Sequence, residues 1–205
     1  MSTKTLEPGA RADSSTAPPR ERIIAVARDL FYRHGIHAVG VDAIAEAAAT
    51  NKMTLYRHFE SKDALIAECL KRRAGELDAA FEQIVAAHPG DPRGALMAYL
   101  RLLGEFKIAD RGCAFANAAI ELPDPNHPAR RVVEEHKLRH RERLVALSRA
   151  VGLDDPDLVA DEIFLLCEGA RVSLQSVGPD GPASRLVEML QAVISGHSAG
   201  GPARR

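Results

Sequence analysis

V-D-A-I-A-E-A-A-A-T-N-K-M-T-L-Y-R-H-F-E-S-K-D-A-L, residues Val41 to Leu65, is the stretch that decides the fold of this 205-residue chain. Val41, Ile44, Ala45 and Ala48 recur three and four apart, which makes the apolar stripe of one very short helix. After Ala49, Thr50 and Asn51 a second helix begins, with Leu55 and Phe59 facing inward. Two such helices about a tight turn predict a helix-turn-helix. Small side chains at Ala45, Ala47 and Ala48 let the helices cross closely. Lys52, Thr54, Tyr56, Arg57 and His58 are left outside, a donor-rich surface suited to a major groove.

Upstream, Ile23, Ile24, Ala27, Leu30 and Phe31 form a stripe on a preceding helix that Gly35 ends, with Arg22, Arg28 and Arg33 left for solvent or phosphate. Downstream, Ser61 is the N-cap of the next helix, and Lys62 then sits where a cation opposes the helix dipole by roughly 0.3 to 1 kcal/mol. A DNA phosphate beside it would reverse that sign.

The same stretch resembles the DNA-binding domain of the tetracycline-repressor (TetR) family, most specifically in T-L-Y-R-H-F followed by S-K-D-A-L, Thr54 to Leu65. The resemblance implies that Lys52, Thr54, Tyr56 and His58 reach the groove or its phosphates, joined by Arg57, and that Lys62 holds the DNA backbone. Departures fall in the turn, where the family's usual Gly-Val-Ser is Ala49, Thr50 and Asn51, and at Met53, which stands for a smaller residue. An alanine at a positive-φ position costs about 1 kcal/mol unless the turn adjusts. Met53 either contacts a thymine methyl or packs on Tyr56.

A net charge of −1 gives no global sign of nucleic acid, yet arginine and lysine concentrate toward the amino-terminal third, and DNA needs only a basic face. Three scattered cysteines, Cys69, Cys113 and Cys167, without a C-x-x-C pair, indicate reduced thiols and a cytoplasmic setting rather than a disulfide framework or a zinc site. Neither a membrane-spanning stretch nor an apolar signal core is present, so no membrane partner is expected. Residues 1–19 and 196–205 read as flexible arm and tail around a helix-turn-helix domain at 20–65 and a larger domain at 66–195.

Beyond Ser61 the apolar spacing stays helical and no strand alternation appears. An all-α protein of about nine helices follows, broken at His88–Gly90, at Arg111–Gly112, in L-P-D-P-N-H-P (Leu122–Pro128) and in G-P-D-G-P (Gly178–Pro182). By the resemblance, the larger domain binds a small molecule and pairs through its last two long helices with a twofold mate. Gly169, Ala170 and Ser173 would permit close packing of the penultimate helix against a helix of the same or another chain.

Val133, His136, His140, Leu144, Leu147 and Val151 share one face of a charged helix, which places two imidazoles at i and i+4 on its apolar side. They either satisfy pocket partners or share a metal ion, with His127, Asp124 or Glu121 as further ligands. Asn117 and Glu121 share a face of the helix before it, beside Phe115, and would offer convergent polar groups to a cavity. Phe81, Phe106, Phe115, Phe164 and Leu166 are expected to line that cavity, and an aromatic content of 4% speaks against a cage for a flat cation.

The expectation is a homodimeric one-component regulator, a repressor of a palindromic operator released by a small-molecule effector, without a cofactor. Two alternatives differ in class. One is a metal-responsive binding protein using His136 and His140. The other is an enzyme with Cys113 as nucleophile and His127 or His136 as base, against which the apolar setting of Cys113 and the lack of a glycine-rich oxyanion turn both count.

Overall fold

Proline at the first helical position, where no intrahelical N–H is required, starts four of the helices: α1 (Pro19–His34), α5 (Pro92–Gly104), α7 (Pro128–Val151) and α8 (Pro156–Val177). Side-chain caps start two others. Asn51 Oδ1 accepts from Thr54 N at the head of α3 (Lys52–His58), and Ser61 Oγ accepts from Ala64 N at the head of α4 (Lys62–Ala86). With α2 (Val41–Ala47), α6 (Ala114–Glu121) and α9 (Leu186–Gly196), these make nine α-helices and no strand among the described residues. The computed structural model describes residues 17–104 and 112–198.

Two cores divide the apolar side chains. The first gathers α1, α2, α3 and the first half of α4, and it continues without a break into Phe115 and Ala118 of α6 and Val132 and Val133 of α7. The second joins Leu96 and Tyr99 of α5 to Leu144 of α7, Ile163 of α8 and Leu190 of α9. The first core thus spans chain position 65, and α6 and α7 close the core of the amino-terminal helices.

Within α7 the striped face turns inward as its spacing requires, with Val133, His140, Leu144 and Leu147 buried. The small residues of α8 divide: Ala170 is buried in the second core, whereas a side chain added at Gly169 would meet open space. Most of the expected arm and tail lies outside the described residues. The start of the tail differs from expectation, because His197 is buried, its ring meets Glu162 at 3.1 Å and its carbonyl accepts from Asp154 N at 2.8 Å.

Candidate nucleic-acid interface and ligand cavity

Leu55 is the one buried side chain of α3, and it anchors the helix while Lys52, Met53, Tyr56 and Arg57 face away from the core. Met53 is 82% exposed and Tyr56 43%. Lys52 and Arg57 are exposed too, Lys52 lying 3.2 Å from the Asp42 carboxylate. Met53 thus stands clear in solvent rather than buried against Tyr56, an apolar tip on a polar surface. His58 differs from expectation: its Nε2 is buried without a hydrogen-bond partner and its ring tilts against Phe59.

The turn before α3 accommodates its departures in two ways. Asn51 supplies the cap that a serine would give, and Ala49 adopts φ +49°, the left-handed conformation anticipated for that position. Arg22 braces the same turn, donating to the carbonyls of Ala48 at 3.2 Å and Ala17 at 2.8 Å, so it is not left for phosphate. Lys62 is engaged as well. Its ammonium donates to Ile36 O at 2.6 Å and lies 5.8 Å from the Phe31 ring, and burial lowers its pKa. The unfavourable placement near a helix start is offset within the chain, by a carbonyl and an aromatic face.

Beneath these helices lies a cavity of about 600 Å³ between α1, α4, α5, α6, α7 and α8. Phe115, Asn117, Glu121, His136 and His140 line it. Phe81, Phe164 and Leu166 do not. Phe81 stands behind Tyr99 and Arg143, Phe164 behind His140 and Lys137, and Leu166 packs on the second core. Phe106 lies outside the described residues. Sequence reasoning missed Tyr99, whose hydroxyl meets His140 Nδ1 at 2.5 Å, and the cations Arg143, Lys137 and Arg171. Charged side chains on an amphipathic helix read as solvent-facing, so spacing alone gave no signal for them.

The two histidines hold different partners. His136 stacks on Phe115 at 3.9 Å with planes 17° apart, whereas His140 bonds Tyr99. Burial, with Lys137 nearby, pulls the His136 pKa down to about 4; burial, with Arg171 nearby, pulls that of His140 to about 3. Both imidazoles are neutral at pH 7. The further metal ligands are committed elsewhere: Glu121 accepts from Ile36 N at 2.6 Å, Asp124 from Asn126 N, and His127 caps α7 with its other nitrogen toward Asp63. Among the described residues no three His, Cys, Asp or Glu side chains gather as a metal site. Cys113 faces the ammonium of Lys137 at 3.8 Å, and neither His127 nor His136 takes the place of a base beside it.

Glu121 also ties the cavity to the helices above. Its carboxylate receives the amides of Ile36 and His37, in the loop after α1, while Tyr32 Oη donates to Gly112 O at 2.9 Å. No helix among the described residues is long and apolar enough to cross a membrane.

Residues 23–69 match the family model described as bacterial regulatory proteins, tetR family. The chain is 31% identical to SCO4454, a TetR-family transcriptional regulator from Streptomyces coelicolor, over 88% of this chain and 96% of that one, with a TM-score of 0.81. It is 26% identical to the HTH-type transcriptional regulator YjdC of Escherichia coli over 73% of this chain and 80% of the relative. A transcriptional regulator from Saccharomonospora viridis, solved in complex with choline, shares the fold at 23% identity and a TM-score of 0.68, over 85% of this chain and 94% of that one.

Proposed function

Because the chain belongs to the TetR family of DNA-binding transcriptional regulators and not to an enzyme family, we propose that it works in the cytoplasm as a homodimeric one-component repressor, binding a palindromic operator and released by a small molecule. The observation that carries this reading is α3, a helix held from within by Leu55 and presenting Lys52, Met53, Tyr56 and Arg57 outward. Arg57 and Lys52 suit phosphates or guanine edges, Tyr56 and Thr54 the groove wall, and Met53 a thymine methyl. Lys62 and His58 contribute by fixing the pose of the helix.

Dimerisation is supported by an apolar stripe on α8. Leu158, Leu165, Gly169 and Val172 follow at intervals of seven, four and three, and Leu165 and Val172 are 67% and 57% exposed; Val187 and Met189 of α9 are exposed too. A twofold pairing there would space two copies of α3 for successive major grooves.

Release requires an effector that prefers the conformation unable to bind DNA. A molecule in the cavity meets α6, whose last residue Glu121 holds the Ile36 and His37 amides, so a shift of α6 reaches the DNA-reading helices by hydrogen bonds. That a fold relative holds choline supports a small-molecule effector here. The test is selection of binding sites from random duplex DNA with purified protein at two salt concentrations. An enriched inverted repeat that persists at the higher salt is expected; wholly salt-sensitive binding with no enriched sequence would overturn the reading.

A further inference from the structure

The hydrogen bonds of Tyr99 assign a proton. Its hydroxyl lies 2.5 Å from His140 Nδ1 and has no other acceptor among the described residues, so the hydroxyl hydrogen is directed to His140 Nδ1. A neutral imidazole that accepts at Nδ1 carries its hydrogen on Nε2. His140 is 7% exposed, lines the cavity, and its Nε2 has no partner. A buried N–H donor without an acceptor is costly; this one has almost no accessible surface in the unliganded chain, so a ligand acceptor gains by meeting it once the ring shifts slightly toward the cavity.

Cations outnumber carboxylates in the lining around that donor. Five cations line the cavity, Arg28, Arg73, Lys137, Arg143 and Arg171, against two carboxylates, Asp29 and Glu121. Asp29 is paired with Arg33 at 2.7 Å, and Glu121 is held by backbone amides. The carboxylates that neutralise the cations lie behind them, outside the lining: Glu76 meets Arg28 and Arg73, Asp78 meets Arg143 and Arg139, and Glu168 meets Lys137 and Arg171. The two phenylalanine faces of the lining are already used by the protein's own groups, Phe31 by Lys62 and Phe115 by His136.

We propose that the cavity takes an organic carboxylate with an apolar body, its acid group accepting from His140 Nε2–H beside Lys137 and Arg143 and its hydrocarbon part lying against Ile66, Leu70 and Phe115. This rests on the cavity being the effector site. The depressed pKa of both histidines agrees with it, since neighbouring cations add to burial in each case. A buried carboxylate is tolerated only where donors are at hand, and Lys137 and Arg143 stand in the cavity lining.

Calorimetric titration of the DNA-free full-length protein tests the assignment with two matched sets: octanoate, octanamide and octyltrimethylammonium; 4-phenylbutanoate, its amide and its trimethylammonium counterpart. In at least one set the acid should bind about tenfold or more tightly than its amide, with the ammonium compound showing no binding. Lys137→Met should then cost the acid about tenfold and leave the amide unchanged, and His140→Phe should weaken both. An amide or ammonium compound that equals its acid in both sets, or no acid binding at millimolar concentration, would overturn the proposal, and these comparisons need no variant to fold. Adding the same compounds to the protein–operator complex separates the two readings. An acid that binds the free protein and leaves the DNA complex intact counts against the effector reading alone, whereas release by an ammonium compound counts against the carboxylate alone.

Discussion

Ala49 holds the turn between α2 and α3 at φ +49°, a conformation in which a Cβ is crowded and glycine is not. Ala49→Gly is expected to stabilise the protein by about 1 kcal/mol, read as a higher urea midpoint with an unchanged slope. His140 acts through protons. Its folded pKa of about 3 lies below the 6.5 of an unperturbed imidazole, so between those values only the unfolded chain binds the proton. Stability therefore falls as pH drops below about 6.5, by roughly 2 kcal/mol at pH 5 from this residue, with His136 acting in the same direction. In His140→Phe the difference between urea unfolding at pH 7 and at pH 5 should shrink by about that amount; an unchanged difference would mean that the imidazole protonates in the folded state.

Helices were the most legible scale. Proline starts, the Ser61 cap and apolar spacing placed all nine, because these signals act within a few residues of where they are written. Destinations of long cationic side chains were not legible, since they are chosen by tertiary neighbours. Arg22 read as left for solvent or phosphate and Lys62, by the resemblance, as a holder of the DNA backbone, yet each reaches a backbone carbonyl of another segment. Lys62→Met should keep the apolar stem over Phe31 and strand the Ile36 carbonyl, costing about 1–2 kcal/mol of stability. The salt dependence of DNA binding would stay the same, whereas loss of a true phosphate contact would lower its slope by about 0.9. Unaltered stability with a reduced slope would restore Lys62 to the DNA.

For the molecule as a whole, the cavity's place was anticipated better than its walls. Asn117, Glu121 and the two histidines were found because they share helix faces with apolar residues, while Phe81 and Phe164 were misplaced because aromatic character marks burial and not which void is faced. The α8 stripe invites a test at this scale: Leu165→Glu combined with Val172→Glu puts like charges on both sides of a twofold contact, at positions exposed within one chain. Sedimentation should show a monomer with an unchanged thermal transition at high dilution, and binding to a full inverted repeat should collapse toward that of a half-site. A variant that remains dimeric would place the interface elsewhere.

Ile36 gives its amide hydrogen to Glu121 and its carbonyl to Lys62, so one residue between α1 and α2 is gripped from the far end of α6 and from the root of α4. For protein engineering this limits modularity. A graft that exchanged residues up to 65 for the reading head of a different repressor would carry Lys62 and Ile36 along but leave Glu121 behind, facing an unfamiliar loop. Such hybrids should recognise the donor's operator yet lose inducibility, unless the seam is recut to match the guest loop to its carboxylate.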